Sequence, residues 1–102
     1  MTHDEVVAEI QARAKARGIL SHYCGPAEQC KGDPGMPDLI LVGQAYVAWV
    51  EVKTLGDRLK SLQTRWRYAL LAVGSVHRIV YEYDLRPGGA EAVLLALVAN
   101  GN

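Results

Sequence analysis

Three charged side chains sit where apolar strands are expected: Asp38, Glu51 and Lys53. Asp38 closes the run Gly35-Met36-Pro37-Asp38 and leads into Leu39-Ile40-Leu41-Val42. Glu51 and Lys53 interrupt Trp49-Val50-Glu51-Val52-Lys53. Charges inside such runs are rare without partners, because burying an unpaired charge is costly. Two carboxylates placed together resist joint ionisation. A hard divalent cation resolves the conflict, since Mg²⁺ takes carboxylate oxygens and keeps waters and phosphate oxygens in its other positions. The backbone carbonyl of Val52 could add a ligand at the strand edge. Cation-assisted hydrolysis at phosphorus follows as the chemistry. Lys53 would orient the attacking water or hold the charge that builds on the phosphate. A helix glutamate, Glu5 or Glu9, could reach the same cation or a second one.

This chemistry sets a register condition. Side chains alternate along a strand, so Glu51 and Lys53 share one face while Val50 and Val52 take the other. A four-residue connector, Gly43 to Tyr46, pairs Val42 with Val47 in an antiparallel hairpin and puts Asp38 opposite Glu51. A slip by one residue would send Asp38 to the far face.

The remaining elements follow from periodicity. Residues 4 to about 17 read as a helix, with Val6, Val7, Ile10 and Ala14 at helical spacing and Gly18 as its stop. Ile19 to Cys24 reads as a strand. Gly25 to Pro34 reads as a loop. Asp57 to about Val73 reads as a helix with Asp57 as its cap and an apolar stripe of Leu59, Leu62, Trp66, Leu70 and Val73. Val76 to Tyr83 reads as a strand. Ala90 to about Ala99 reads as a third helix, apolar nearly all round, which must bury both sides in the core or against a second copy.

With 102 residues, half of them hydrophobic, a single domain over residues 1–102 is expected. Eleven basic residues balance eleven acidic ones, so total charge is silent about nucleic acid. Arg58, Lys60, Arg65 and Arg67 nevertheless crowd the stretch after Lys53 and are candidates for DNA contacts. The run Ala92 to Ala99 is too short to span a bilayer. The N-terminus lacks the features of a signal peptide, so no membrane association and a cytoplasmic location are expected. Cys24 and Cys30, six apart, lack the spacing of a zinc knuckle or redox pair, and His22 adds little to a zinc reading. Two free thiols are expected.

The motifs Gly35-Met36-Pro37-Asp38-Leu39 and Glu51-Val52-Lys53, followed by Gln63 in a helix containing Trp66 and ending at Gly74, closely resemble the VRR-NUC (virus-type replication-repair nuclease) domain. This is a branch of the PD-(D/E)xK nuclease superfamily, and the resemblance runs from about Glu5 to about Tyr83. It implies an α/β restriction-endonuclease-like domain with a helix-strand-strand-strand-helix-strand core and an extra C-terminal helix. It further implies phosphodiester cleavage dependent on Mg²⁺ or Mn²⁺. Asp38 and Glu51 map onto the metal ligands, Lys53 onto the catalytic lysine, and Gln63 onto the motif glutamine. Glu5 and Glu9 both compete for the family's helix acid. Lys60-Ser61-Leu62 departs from the Ser-Pro that often precedes the glutamine, which moves the expected helix start back to Asp57. Small members resemble phage-carried, homodimeric junction-resolving enzymes, which implies four-way DNA junctions as substrate and action in a host cytoplasm. A nucleic-acid-binding module that needs a partner to cleave, and a general nuclease without branch preference, are the alternatives.

Overall fold

The apolar positions divide the chain into two layers packed on one sheet. In a computed structural model, which describes residues 1–25 and 33–102, the order is α1 (His3–Ala16), β1 (Leu20–Tyr23), β2 (Leu39–Val42), β3 (Val47–Lys53), α2 (Ser61–Ala72) and β4 (Val76–Tyr81). A 3₁₀ turn (Glu82–Leu85) and α3 (Ala90–Asn100) complete it. The four strands lie in the order β1-β2-β3-β4. β1 and β3 flank β2 antiparallel, and β4 joins β3 in parallel after the α2 crossover. This is the mixed α/β architecture expected from the sequence.

The hairpin register meets the stated condition. Val42 pairs with Val47 and Leu39 with Val50, so the next rung sets Asp38 opposite Glu51. Alternation then gives the two faces of the sheet opposite duties. Leu39, Leu41, Ala48, Val50, Val52 and Val80 enter a dry core with Val6, Val7, Ile10 and Ala14 of α1 and Leu94, Leu95 and Val98 of α3. Burying each such side chain contributes about 1.5–3 kcal/mol. The other face carries Trp49, Glu51, Lys53 and His77 toward α2.

Sequence boundaries shift at several places. α2 starts at Ser61, not at Asp57, and its N-cap is Lys60. The aspartate serves a tighter local turn: Asp57 Oδ2 accepts from the Thr54 hydroxyl at 2.6 Å and from its amide, while Asp57 N–H donates to the Thr54 carbonyl. β4 ends at Tyr81, where Asp84 Oδ2 takes the Tyr81 amide and turns the chain into the 3₁₀ segment. The apolar stripe of Leu59, Leu62, Trp66, Leu70 and Val73 is not core: none of the five is buried, Leu62 and Val73 are exposed, and Tyr68 and Leu71 on the same helix are exposed too. α3 is also asymmetric. Leu94, Leu95 and Val98 face the core, whereas Val93 is 64% exposed. Cys24 is disulfide-bonded, which corrects the expectation of a free thiol there; Cys30 lies outside the described residues. No helix among the described residues is long and apolar enough to cross a membrane.

Candidate active site

Glu51 is the most unusual residue of the polar face. It is 2% exposed, and its Oε2 is buried with no hydrogen-bond partner. Its Oε1 accepts from Gln63 Nε2 at 2.8 Å, and Lys53 Nζ stands 3.8 Å away. Burial first, and the Asp38 carboxylate second, push Glu51 up to about 7, against the pull of Lys53 and His3.

Asp38 enters from the end of the Gly-Met-Pro loop. Its Oδ2 accepts the Val52 amide at 2.9 Å and lies 3.2 Å from His3 Nε2. Its own carbonyl accepts the Cys24 amide, which fixes this segment to the end of β1. Val52, whose carbonyl is an expected ligand, is thus tied directly to Asp38 through its amide. Lys53 is 7% exposed, and its ammonium donates to Gln63 Oε1 at 2.8 Å.

Gln63 connects the parts. Its amide nitrogen donates to Glu51, while its oxygen accepts from both Lys53 Nζ and the Lys60 amide. The Lys60 bond closes the first turn of α2, so one side chain both starts the helix and joins Glu51 to Lys53. Gly35 brings α2 close. Its φ of +87° suits glycine, and a Cβ there would fall 2.6 Å from the Leu62 carbonyl carbon.

The helix acids lie elsewhere. Glu5 Oε1 accepts the Thr2 amide in a capping box. Glu9 Oε1 pairs with Arg13 Nε at 3.0 Å. The α1 side chain that bonds a member of the site is His3, at the first turn. No spacing pattern in the sequence marks a lone histidine, and only the packing of α1 against the sheet reveals it. Of the basic candidates, Arg58, Lys60 and Arg65 are exposed. Arg67 turns inward instead, and its Nη1 lies 2.8 Å from Nδ1 of His77, itself 1% exposed.

Two ionisable carboxylates and an unpartnered buried oxygen suit a hard divalent cation. Among the described residues, no three His, Cys, Asp or Glu side chains are already drawn into a ligand cage. Asp38 and Glu51 supply the donor chemistry that such an ion would take.

Comparison with known proteins bears on the fold and the family. The VRR-NUC domain profile matches residues 3–77. A solved structure described as a VRR-NUC domain is 22% identical, with 79% of this chain and 85% of that chain covered at a TM-score of 0.67. A second, described as a VRR-NUC domain protein, is 21% identical, covering 92% of this chain and 85% of that one at a TM-score of 0.66. No curated protein matches the sequence. The profile match spans most of the chain and takes in Asp38, Glu51, Lys53 and Gln63, and the chain belongs to the VRR-NUC family, whose domain is a nuclease of the PD-(D/E)xK type.

Proposed function

We propose that this chain is a divalent-metal-dependent DNA endonuclease, selective for branched DNA such as four-way junctions and active as a homodimer. The observation that carries the cleavage reading is Glu51: a buried carboxylate with one orphaned oxygen, set beside Asp38 and within reach of Lys53. Neither a salt bridge nor a solvated sheet face needs that arrangement. Asp38 and Glu51 would hold Mg²⁺ or Mn²⁺, with the Val52 carbonyl at the same strand edge. When bound, the ion supplies Lewis-acid assistance to phosphodiester hydrolysis.

The protein's own residues do the rest. Lys53, held by Gln63, presents a fixed ammonium to the phosphate and stabilises the negative charge that grows in the transition state. Gln63 also holds Glu51 Oε1, which leaves Oε2 for the ion. Arg58, Lys60 and Arg65 are exposed and would supply phosphate contacts that position the duplex.

Two strands to cut favour two sites related by a two-fold axis. Of α2 and α3, it is α2 that leaves more apolar surface open to a second copy. Leu62, Tyr68 and Leu71 are exposed there, and Val73 just beyond it is 78% exposed. The same surface favours the partner-dependent reading, in which another protein completes the enzyme.

The deciding experiment incubates labelled four-way junctions and matched linear duplexes with Mg²⁺, Mn²⁺ or chelator, alongside Lys53→Ala and Asp38→Ala. Metal-dependent junction cutting by the wild type, lost in both variants, is expected. Absence of metal-dependent cutting defeats the enzyme reading. Equal cutting of linear duplex defeats branch selectivity alone, and a monomer in light scattering counts against symmetric resolution.

A further inference from the structure

We propose that His3 is the α1 ligand of the cation site, and that its imidazole biases the site toward first-row transition ions such as Mn²⁺ over Mg²⁺. This rests on the metal-dependent nuclease reading and specifies its metal chemistry. Placement favours His3 over the acids of its helix. Glu5 and Glu9 are engaged by Thr2 and Arg13. His3 Nε2 instead stands 3.2 Å from Asp38 Oδ2, and Asp38 lies opposite Glu51 across the hairpin. The side chain is 35% exposed, so a solute ion can reach it.

Orientation favours it as well. A ligating histidine commonly turns its other ring nitrogen toward a carboxylate, which fixes the ring and the tautomer. Here Nδ1 lies 3.6 Å from Asp4 Oδ1, and that same oxygen is held by the Tyr23 hydroxyl at 2.7 Å. The Tyr23 ring backs the imidazole at 6.3 Å between centroids, tilted by 42°.

The donor set points the same way. Glu51 Oε2 is buried with nothing bonded to it, and Asp38 is its neighbour across the hairpin. Asp38, Glu51 and His3 would hold the ion through two carboxylates and one imidazole, and His3 would then give up its contact with Asp38 Oδ2. Mg²⁺ prefers an all-oxygen shell, whereas an imidazole nitrogen adds affinity for transition ions.

The test binds MnCl₂ and MgCl₂ separately to wild type, His3→Ala and Asp38→Ala by calorimetry, and records the electron spin-echo modulation of bound Mn²⁺. The wild type should bind Mn²⁺ more tightly than Mg²⁺ and show modulation from a directly bound ¹⁴N. In His3→Ala that signal should vanish, with a loss in Mn²⁺ affinity of about tenfold or more, the scale set by metal-site shell mutations, and a much smaller loss for Mg²⁺. His22 and His77 remain in that variant and control for other nitrogens. Equal losses for both ions, or ¹⁴N modulation that survives His3→Ala, would reduce His3 to an Asp38-positioning residue and overturn the proposal. A wild type that binds neither ion, or an Asp38→Ala variant that binds Mn²⁺ unchanged, would instead overturn the underlying metal-site reading. Unfolding in chelator checks that the variants are folded.

Discussion

Glu51→Gln should make the metal-free protein more stable while abolishing cleavage. The folded carboxyl is pushed from 4.5 up to about 7, chiefly by burial and then by Asp38. A carboxyl raised in the fold favours the protonated form. Its contribution is fully present below pH 4.5 and is lost as pH rises through about 7. A tenfold change in proton affinity corresponds to about 1.4 kcal/mol, so holding Glu51 ionised above about pH 7.5 costs about 3 kcal/mol. Glutamine keeps an oxygen for Gln63 Nε2 and removes the charge that meets Asp38. The difference between Glu51→Gln and wild type should therefore be near zero at pH 4.5, grow to about pH 7, and then level off. Urea unfolding in chelator at matched pH values measures it, and titrating groups that do not interact with Glu51 cancel in the difference. Adding Mn²⁺ should stabilise the wild type and leave Glu51→Gln nearly unmoved. A variant no more stable than wild type at about pH 8, or a difference that fails to grow with pH, would refute the electrostatic account.

Two further outcomes are expected. His77, buried against Arg67, has its pKa lowered to about 4 by burial first and Arg67 second. Because the unfolded chain binds that proton near 6.5, stability present above pH 6.5 should fall toward pH 4 by about 3 kcal/mol, and urea titrations of His77→Gln should show a shallower acid loss. Gly35→Ala should destabilise by more than about 1 kcal/mol, since φ is +87° and the new Cβ meets Leu62. Cleavage should fall faster than melting temperature in that variant, because Leu62 neighbours Gln63; equal activity per folded molecule would contradict that link.

The hairpin was legible where a short-range rule fixed it. Alternation along β3 and the four-residue connector determined which face Asp38 would take, and the observed Val42–Val47 pairing agrees. Other features depended on competition the sequence does not display. Asp57 is a good helix cap, but the Thr54 hydroxyl offered it a closer partner, and α2 began at Ser61. The stripe of α2 has helical period, yet period alone cannot say whether a sheet or a second chain covers it. Arg67 looked like one of a basic group until β4 brought His77 beneath it. His3 carried no pattern at all; its bond to Asp38 arises where the first turn of α1 meets the end of the Gly-Met-Pro loop.

These departures share a cause, and it concerns how the site is held. The α1–α3 face of the sheet is closed by apolar burial, which specifies no particular side-chain atom. The α2 face is closed largely by named polar atoms: Gln63 on Glu51 and Lys53, and Arg67 on His77. A helix with no buried residue is weakly held by hydrophobic contact, so its seat depends on those bonds. Filling the orphaned Glu51 Oε2 with a cation would remove the main reason for Glu51 to repel its neighbour, and through Gln63 would tighten the first turn of α2. On the proposed metal reading, ion binding and the docking of α2 would thereby be coupled. The exposed apolar side chains of α2 would then lie on an element whose position responds to the ion, and any assembly across that helix should be sensitive to whether the ion is bound.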